Sequence, residues 1–157
     1  MGPVNLPRWG RGARALVVGA LACAALVGCT DDGGPDARDE AYDYPAVDLA
    51  DDPAANLERL RVPDGVLDAM STEALVWSVL DFPYVGDAFA SSQTDGEVAF
   101  LAERCDALAA LLQRDDAAAA VDAVRAEYVD GGDADAGRFG ELRTRLLDLI
   151  AAEVAPA

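Results

Sequence analysis

Residues 98–112 read VAFLAERCDALAALL, and large apolar side chains recur in them at intervals of three and four positions. On an α-helix this spacing places the side chains on one continuous stripe. The stripe consists of Val98, Leu101, Cys105, Leu108 and Leu112. The pattern predicts a single amphipathic helix whose apolar face packs into a protein core.

Two further stripes follow in the sequence. One consists of Ala117, Val121, Val124 and Tyr128, and the other of Phe139, Leu142, Leu146, Leu149 and Ile150. The step of five residues from Leu112 to Ala117 would rotate the stripe by about 140° on one helix. We therefore predict a break at residues 113–116, and a second break at Gly131 and Gly132.

The region before the first stripe also favours helices, although shorter ones. Pro53 and Pro63 suit the first turns of helices over residues 54–61 and 64–70. Ser71 is a good N-cap for a helix over residues 72–81, which Pro83 would end, and residues 84–90 would add another apolar turn or two. Because no segment alternates with period two, we predict an all-α domain over residues 53–157, an irregular bundle of about five to seven helices.

Residues 30–52 contain nine acidic side chains and a single arginine, Arg38. Like charges repel one another and extend the chain. Residues 29–52 are therefore predicted to form a disordered acidic tether that spans about 25–30 Å or more.

The first 28 residues have the organisation of a signal peptide. Arg8, Arg11 and Arg14 precede an apolar run over residues 15–27, which is short for a membrane span. The run ends in Leu26-Val27-Gly28-Cys29, which resembles the lipobox of bacterial lipoproteins. The resemblance implies a diacylglycerol on Cys29 and an anchor on the extracytoplasmic face of the cell membrane. Cys23 as the lipidated residue, an ordinary cleaved signal and an uncleaved anchor are the alternatives.

A second resemblance lies in Met70-Ser71-Thr72-Glu73-Ala74-Leu75, in Val79-Leu80-Asp81-Phe82-Pro83 and in Leu111-Leu112-Gln113-Arg114-Asp115-Asp116. These segments are similar to the M-S-T-E-x-L, V-L-[DN]-[YF]-P and L-L-x-R-x-D motifs of a family of exported, helical bacterial proteins of uncharacterised function. The resemblance implies an exported, helical protein and carries no activity. The chain departs from the family at Ser78, where relatives have threonine.

The composition excludes several kinds of chemistry. The 157 residues include 29 acidic ones against 12 basic ones, all arginine, for a net charge of −17, and there is no histidine. Without histidine or lysine there is no Ser-His-Asp triad, imidazole metal site or Schiff base. Such an acidic chain should repel nucleic acid. We expect no cofactor.

The aromatic side chains Trp77, Phe82, Tyr84 and Phe89 lie within thirteen residues. They would form either the core or a surface for a partner. Our leading hypothesis is a lipid-anchored envelope protein whose helical domain binds a protein or peptide, without catalysis. The acidity favours a basic partner.

Two alternatives come from the carboxylates. One is a hydrolase that uses a carboxylate pair on cell-wall polymers. The other is an envelope protein stabilised by Ca²⁺ at Asp130, Asp133 and Asp135, although these residues do not match an EF-hand loop. Cys105 lies on an apolar stripe and is predicted to be a buried, unreactive thiol.

Overall fold

The computed structural model describes residues 36–91, 96–130 and 137–155, and it confirms the all-α prediction. Within these ranges the chain forms eight helices and no strand. They are α1 (Pro53–Arg59), α2 (Asp64–Ala69), α3 (Thr72–Asp81), α4 (Val85–Ser91), α5 (Glu97–Ala102), α6 (Asp106–Leu111), α7 (Ala117–Asp130) and α8 (Arg138–Val154).

Helix α3 is the centre of the bundle. It packs against α6 and α7, and α8 packs in turn against α7. All seven residues from 74 to 80 are buried, as expected for a helix that is apolar on every side. The helix begins and ends as predicted, because the Ser71 hydroxyl accepts a hydrogen bond from the Ala74 amide and the helix ends two residues before Pro83.

The prediction of one helix over residues 98–112 is wrong, because the segment is divided into α5 and α6. Cys105 has an extended backbone, with φ −111° and ψ 103°. The carboxylate of the next residue, Asp106, accepts a hydrogen bond from the Val62 amide at 3.0 Å and pairs with Arg61 at 2.9 Å. Because of the break, the buried face of α6 differs from the predicted stripe by one position at its end. Leu111 is fully buried, whereas Leu112, which the stripe included, is only partly buried. It also accounts for an eighth helix where five to seven were expected.

The predicted stripe of α8 is correct at its centre and wrong at its start. Leu146 and Ile150 are buried, together with Leu147, which the stripe did not include. Phe139 lies on the same helix face about two turns before Leu146, but its side chain is 75% exposed. The apolar face of α8 therefore continues beyond the described neighbours that cover it.

Residues 36–52, which we call the strap, lie across the helices instead of forming part of a free tether. Tyr42, Tyr44 and Val47 are partly buried against the core, and the Tyr42 amide donates a hydrogen bond to the Ser78 hydroxyl at 2.8 Å. The predicted boundary at residue 52 is corrected, because these side chains bury apolar surface while the strap's carboxylates stay exposed. Residues 1–35, including the predicted signal peptide and Cys29, lie outside the described residues.

Candidate functional site

Three of the four aromatic residues in the predicted partner surface belong to the core. The side chains of Trp77, Phe82 and Tyr84 are 1%, 2% and 7% exposed. Phe89 is partly buried, and the guanidinium of Arg145 lies 4.9 Å from its ring centroid. The structure therefore favours the core alternative for Trp77, Phe82 and Tyr84, which offer no exposed surface to a partner.

The strap covers this aromatic core. The guanidinium of Arg38 lies 4.8 Å from the centroid of the Trp77 ring, in a cation–π contact. The Tyr44 ring meets the Phe82 ring edge to face, with the centroids 5.4 Å apart. Over the aromatic core, the surface that a partner could contact is consequently formed by the strap.

A buried amide holds the far end of the strap. Asn56, in α1, is almost fully buried, and its Nδ2 donates to the Asp48 carbonyl at 2.7 Å and to the Tyr84 hydroxyl at 3.0 Å. Both N–H groups of the amide are thus used, as a buried polar group requires. Asn56 was not predicted to be buried, since a single asparagine in a short helix carries no local signal of burial.

The strap and the C-terminal end of α3 enclose an open groove of about 590 Å³. Carboxylates of Asp39, Asp43 and Asp81 line it, and Asp81 pairs with Arg143 at 2.8 Å. Its apolar lining includes Val47, Leu49 and Pro83. Leu49 is 55% exposed. We call this feature the strap groove.

The arginine side chains that the structure describes are engaged within the chain. They bind carboxylates, backbone carbonyls or aromatic rings, and they are Arg38, Arg59, Arg61, Arg104, Arg114, Arg125, Arg143 and Arg145. Many carboxylates, including those of Asp39 and Asp43, are exposed. Three aspartates, Asp39, Asp43 and Asp81, and one arginine, Arg38, line the strap groove. The carboxylates outnumber the guanidinium, so the field at the groove is negative and favours positively charged ligands.

No protein-family model, no curated protein and no solved structure matches the chain. The function therefore has to follow from the geometry and charge of the molecule itself. The strap groove combines a concave shape, an apolar lining and carboxylates.

The first and last of the three motif-like segments, residues 70–75 and 111–116, meet in the structure. The Thr72 hydroxyl donates a hydrogen bond to Oδ1 of Asp116 at 2.7 Å. The Arg114 guanidinium donates to the carbonyls of Leu67 and Met70 at 2.9 and 3.4 Å. These contacts link the C-terminal end of α2 and the first residue of α3 to the segment between α6 and α7. The motif residues that make them therefore have a structural role here.

Cys105 is buried, as predicted, and does not provide a reactive thiol. Burial raises its pKa to about 11, and the Tyr44 hydroxyl lies 3.7 Å from its sulfur. Burial also raises the pKa of the Tyr44 hydroxyl above its ordinary value. Because the nucleophile is the thiolate, a thiol that stays protonated at neutral pH is chemically inert.

The structure does not test the predicted Ca²⁺ site. Asp133 and Asp135 lie outside the described residues, and the Asp130 side chain is not described. Among the described side chains, no group of three or more carboxylates and thiols is arranged to hold a metal ion.

None of the described helices has the length and apolar character needed to cross a bilayer.

Proposed function

We propose that this chain is a lipid-anchored protein of the bacterial cell envelope, whose helical domain binds a basic segment of a protein partner in the strap groove and catalyses no reaction. The strap groove is the observation that carries this proposal. It is concave, acidic and partly apolar, and the aromatic core lies beneath the strap.

The chemistry of the groove selects the class of partner. Arginine or lysine side chains would pair with Asp39 and Asp43, which are exposed. Aliphatic or aromatic side chains of the same segment would pack against Leu49 and Pro83. A volume of about 590 Å³ accommodates a few side chains, which suits a short peptide segment. Opposite charges would also accelerate the encounter.

A labelled peptide tests this binding. We expect a fluorescent ten-residue peptide of alternating arginine and leucine to bind the protein, and the double variant Asp39→Asn/Asp43→Asn to bind it about tenfold more weakly, a loss of about 1.4 kcal/mol. Fluorescence anisotropy at two salt concentrations measures both affinities. The difference should shrink at high salt, since exposed charges are screened.

Asp122→Asn/Glu153→Gln is the matched control, because it removes the same charge from exposed positions on α7 and α8. An equal loss of affinity in the two double variants would reduce the effect to net charge and contradict a specific groove. Leu49→Ser should also weaken binding, whereas an unchanged affinity would contradict the apolar contact.

The anchor is proposed from the sequence. The apolar run over residues 15–27 ends at the lipobox-like Leu26–Cys29 segment, and polar residues follow Cys29 immediately. Two acyl chains on one cysteine would hold a protein stably at a membrane, which a single chain does only marginally. Cys29 would then become the first residue of the mature protein, with its sulfur bonded to the diacylglycerol.

Metabolic labelling with an alkyne fatty acid tests the anchor. We expect the full chain to incorporate the label, and Cys29→Ser to abolish it because the acylated sulfur is removed. Cys23→Ser is the control and should keep the label. Label that persists in Cys29→Ser, or is lost in Cys23→Ser, would show that Cys29 is not the lipidated residue.

A further inference from the structure

The strap groove depends on the docked position of the strap. Ten of the twelve residues that line the groove belong to the strap, and Asp81 and Pro83, at and just after the end of α3, supply the rest. If the strap left the helices, its lining residues would separate from Asp81 and Pro83, and the groove would be lost. A ligand of the groove therefore binds the chain only while the strap is docked.

The strap is attached to the helices by few buried contacts. None of residues 36–52 is buried, whereas all seven residues from 74 to 80 are. The backbone of the strap accepts or donates hydrogen bonds with helix side chains at Tyr42, Ala46 and Asp48. An element that buries so little apolar surface opens at a lower free-energy cost than the helices beneath it.

The charge of the chain opposes docking of the strap. Residues 36–52 carry seven acidic side chains and one arginine, a net charge of −6, and residues 53–157 carry twenty acidic side chains and eight arginines, a net charge of −12. Asp39 and Asp43 of the strap line the same groove as Asp81 of α3. Such like charges repel one another over a longer range at low salt, because the Debye length grows from about 8 Å at 0.15 M to about 30 Å at 0.01 M.

Taking the strap groove as the binding site, and thus resting on the function proposed above, we infer that the strap docks on the helices reversibly and that a basic partner segment closes it by neutralising its carboxylates. Binding and docking are then coupled, since a segment that binds the closed form alone shifts the population toward that form. The free protein at low salt is partly open, and the partner-bound protein is closed.

Cys105 reports whether the strap is docked. Its side chain is fully buried, and the hydroxyl of Tyr44, a strap residue, lies 3.7 Å from its sulfur. Undocking removes Tyr44 and uncovers this side of the thiol. The rate at which a thiol reagent modifies Cys105 therefore measures how often the strap is open.

The salt dependence of this rate tests the repulsion. In the full chain, Cys23→Ser and Cys29→Ser leave Cys105 as the only thiol, and a nonionic detergent accommodates the apolar run over residues 15–27. The reagent is the uncharged N-ethylmaleimide, and each rate is divided by that of the same chain unfolded in urea at the same salt concentration. We expect this normalised rate to fall at least about threefold as NaCl rises from about 10 mM to about 150 mM. An unchanged or rising rate would overturn the inference.

A second thiol position separates opening of the strap from unfolding of the bundle. In Cys105→Ser/Val121→Cys, on the same background, the only thiol lies at a fully buried position of α7. At low salt Cys105 should react at least about tenfold faster than this control, because a surface segment opens more readily than a whole domain unfolds. Equal rates would mean that the reagent reaches Cys105 only through global unfolding, which contradicts a separately opening strap.

Charge variants test where the repulsion acts. Glu40→Gln/Asp51→Asn removes two charges from exposed strap residues that do not line the groove. It should slow the low-salt reaction of Cys105 at least about twofold, whereas Asp122→Asn/Glu153→Gln, on α7 and α8, should change it less. Equal effects of the two variants would assign the salt dependence to net charge and refute a repulsion specific to the strap.

The Arg/Leu peptide tests the coupling and keeps the two proposals apart. At low salt, saturating peptide should slow the reaction of Cys105 at least about fivefold, and the protection should follow the binding curve measured by anisotropy. Peptide that binds without protecting Cys105 would overturn this inference and leave the proposed function intact. Peptide that does not bind would refute the strap groove as a binding site, and with it the basic segment as the agent that closes the strap.

Discussion

Replacing Trp77 by alanine is expected to lower the free energy of unfolding by about 3–5 kcal/mol. The side chain is 1% exposed, and it lies between the strap and α7, with Arg38 4.8 Å from its ring and the Tyr128 ring centroid 6.1 Å away. Removing the indole would leave a cavity that rigid neighbouring helices cannot fill. Because small domains are stable by only about 5–15 kcal/mol, the change is a large fraction of the total. Urea unfolding followed by circular dichroism measures it.

Two further variants test whether the loss of stability in Trp77→Ala comes from the buried packing of the indole. Trp77→Phe should cost much less, because it keeps most of the packing and removes an indole N–H that has no hydrogen-bond partner within the described residues. Phe139→Ala removes an aromatic ring that is 75% exposed, and the free energy of unfolding should stay within about 0.5 kcal/mol. A stable Trp77→Ala protein that loses peptide binding would instead return Trp77 to a partner surface.

The sequence predicts α3 correctly because its boundaries depend on local chemistry. The Ser71 hydroxyl binds an amide three residues away, and Pro83 prevents continuation. The break between α6 and α7 is also local, since the five-residue step from Leu112 to Ala117 is visible in the spacing, and α7 begins at Ala117 as expected.

The break between α5 and α6 is not predictable in this way. The apolar positions from Val98 to Leu112 keep helical spacing, so periodicity favours one continuous helix. The break coincides with a hydrogen bond from the Val62 amide to the Asp106 carboxylate, and these two residues are 44 positions apart in the sequence. Long-range contacts of this kind leave no periodic signal in the sequence.

The strap illustrates the same limit at the candidate site. Its composition is acidic, and charge alone predicts a free chain. The outcome depends on three apolar side chains, Tyr42, Tyr44 and Val47, that find matching surface on the helices. The strap groove follows from that packing and could not be predicted from residues 36–52 alone.

Arg114→Ala is expected to lower the free energy of unfolding by about 1.5–3 kcal/mol. The guanidinium donates to the Leu67 and Met70 carbonyls, at the end of α2, where a helix leaves carbonyl groups without partners. Alanine would leave these partly buried carbonyls unsatisfied, and hydrogen bonds from a charged donor are stronger than neutral ones. Urea unfolding of the variant against the unmodified protein gives the difference.

Gln113→Ala is the matched control, because the Gln113 side-chain amide, at an exposed position just after α6, donates a hydrogen bond to the carbonyl of Ala109 in the last turn of that helix. Its effect should stay within about 0.5 kcal/mol. Equal effects at the two positions would contradict the role of Arg114 in joining α2 to the α6–α7 segment. A large loss of stability with unchanged peptide affinity per folded molecule would separate the motif, which holds the bundle together, from the strap groove, which we propose to bind the partner.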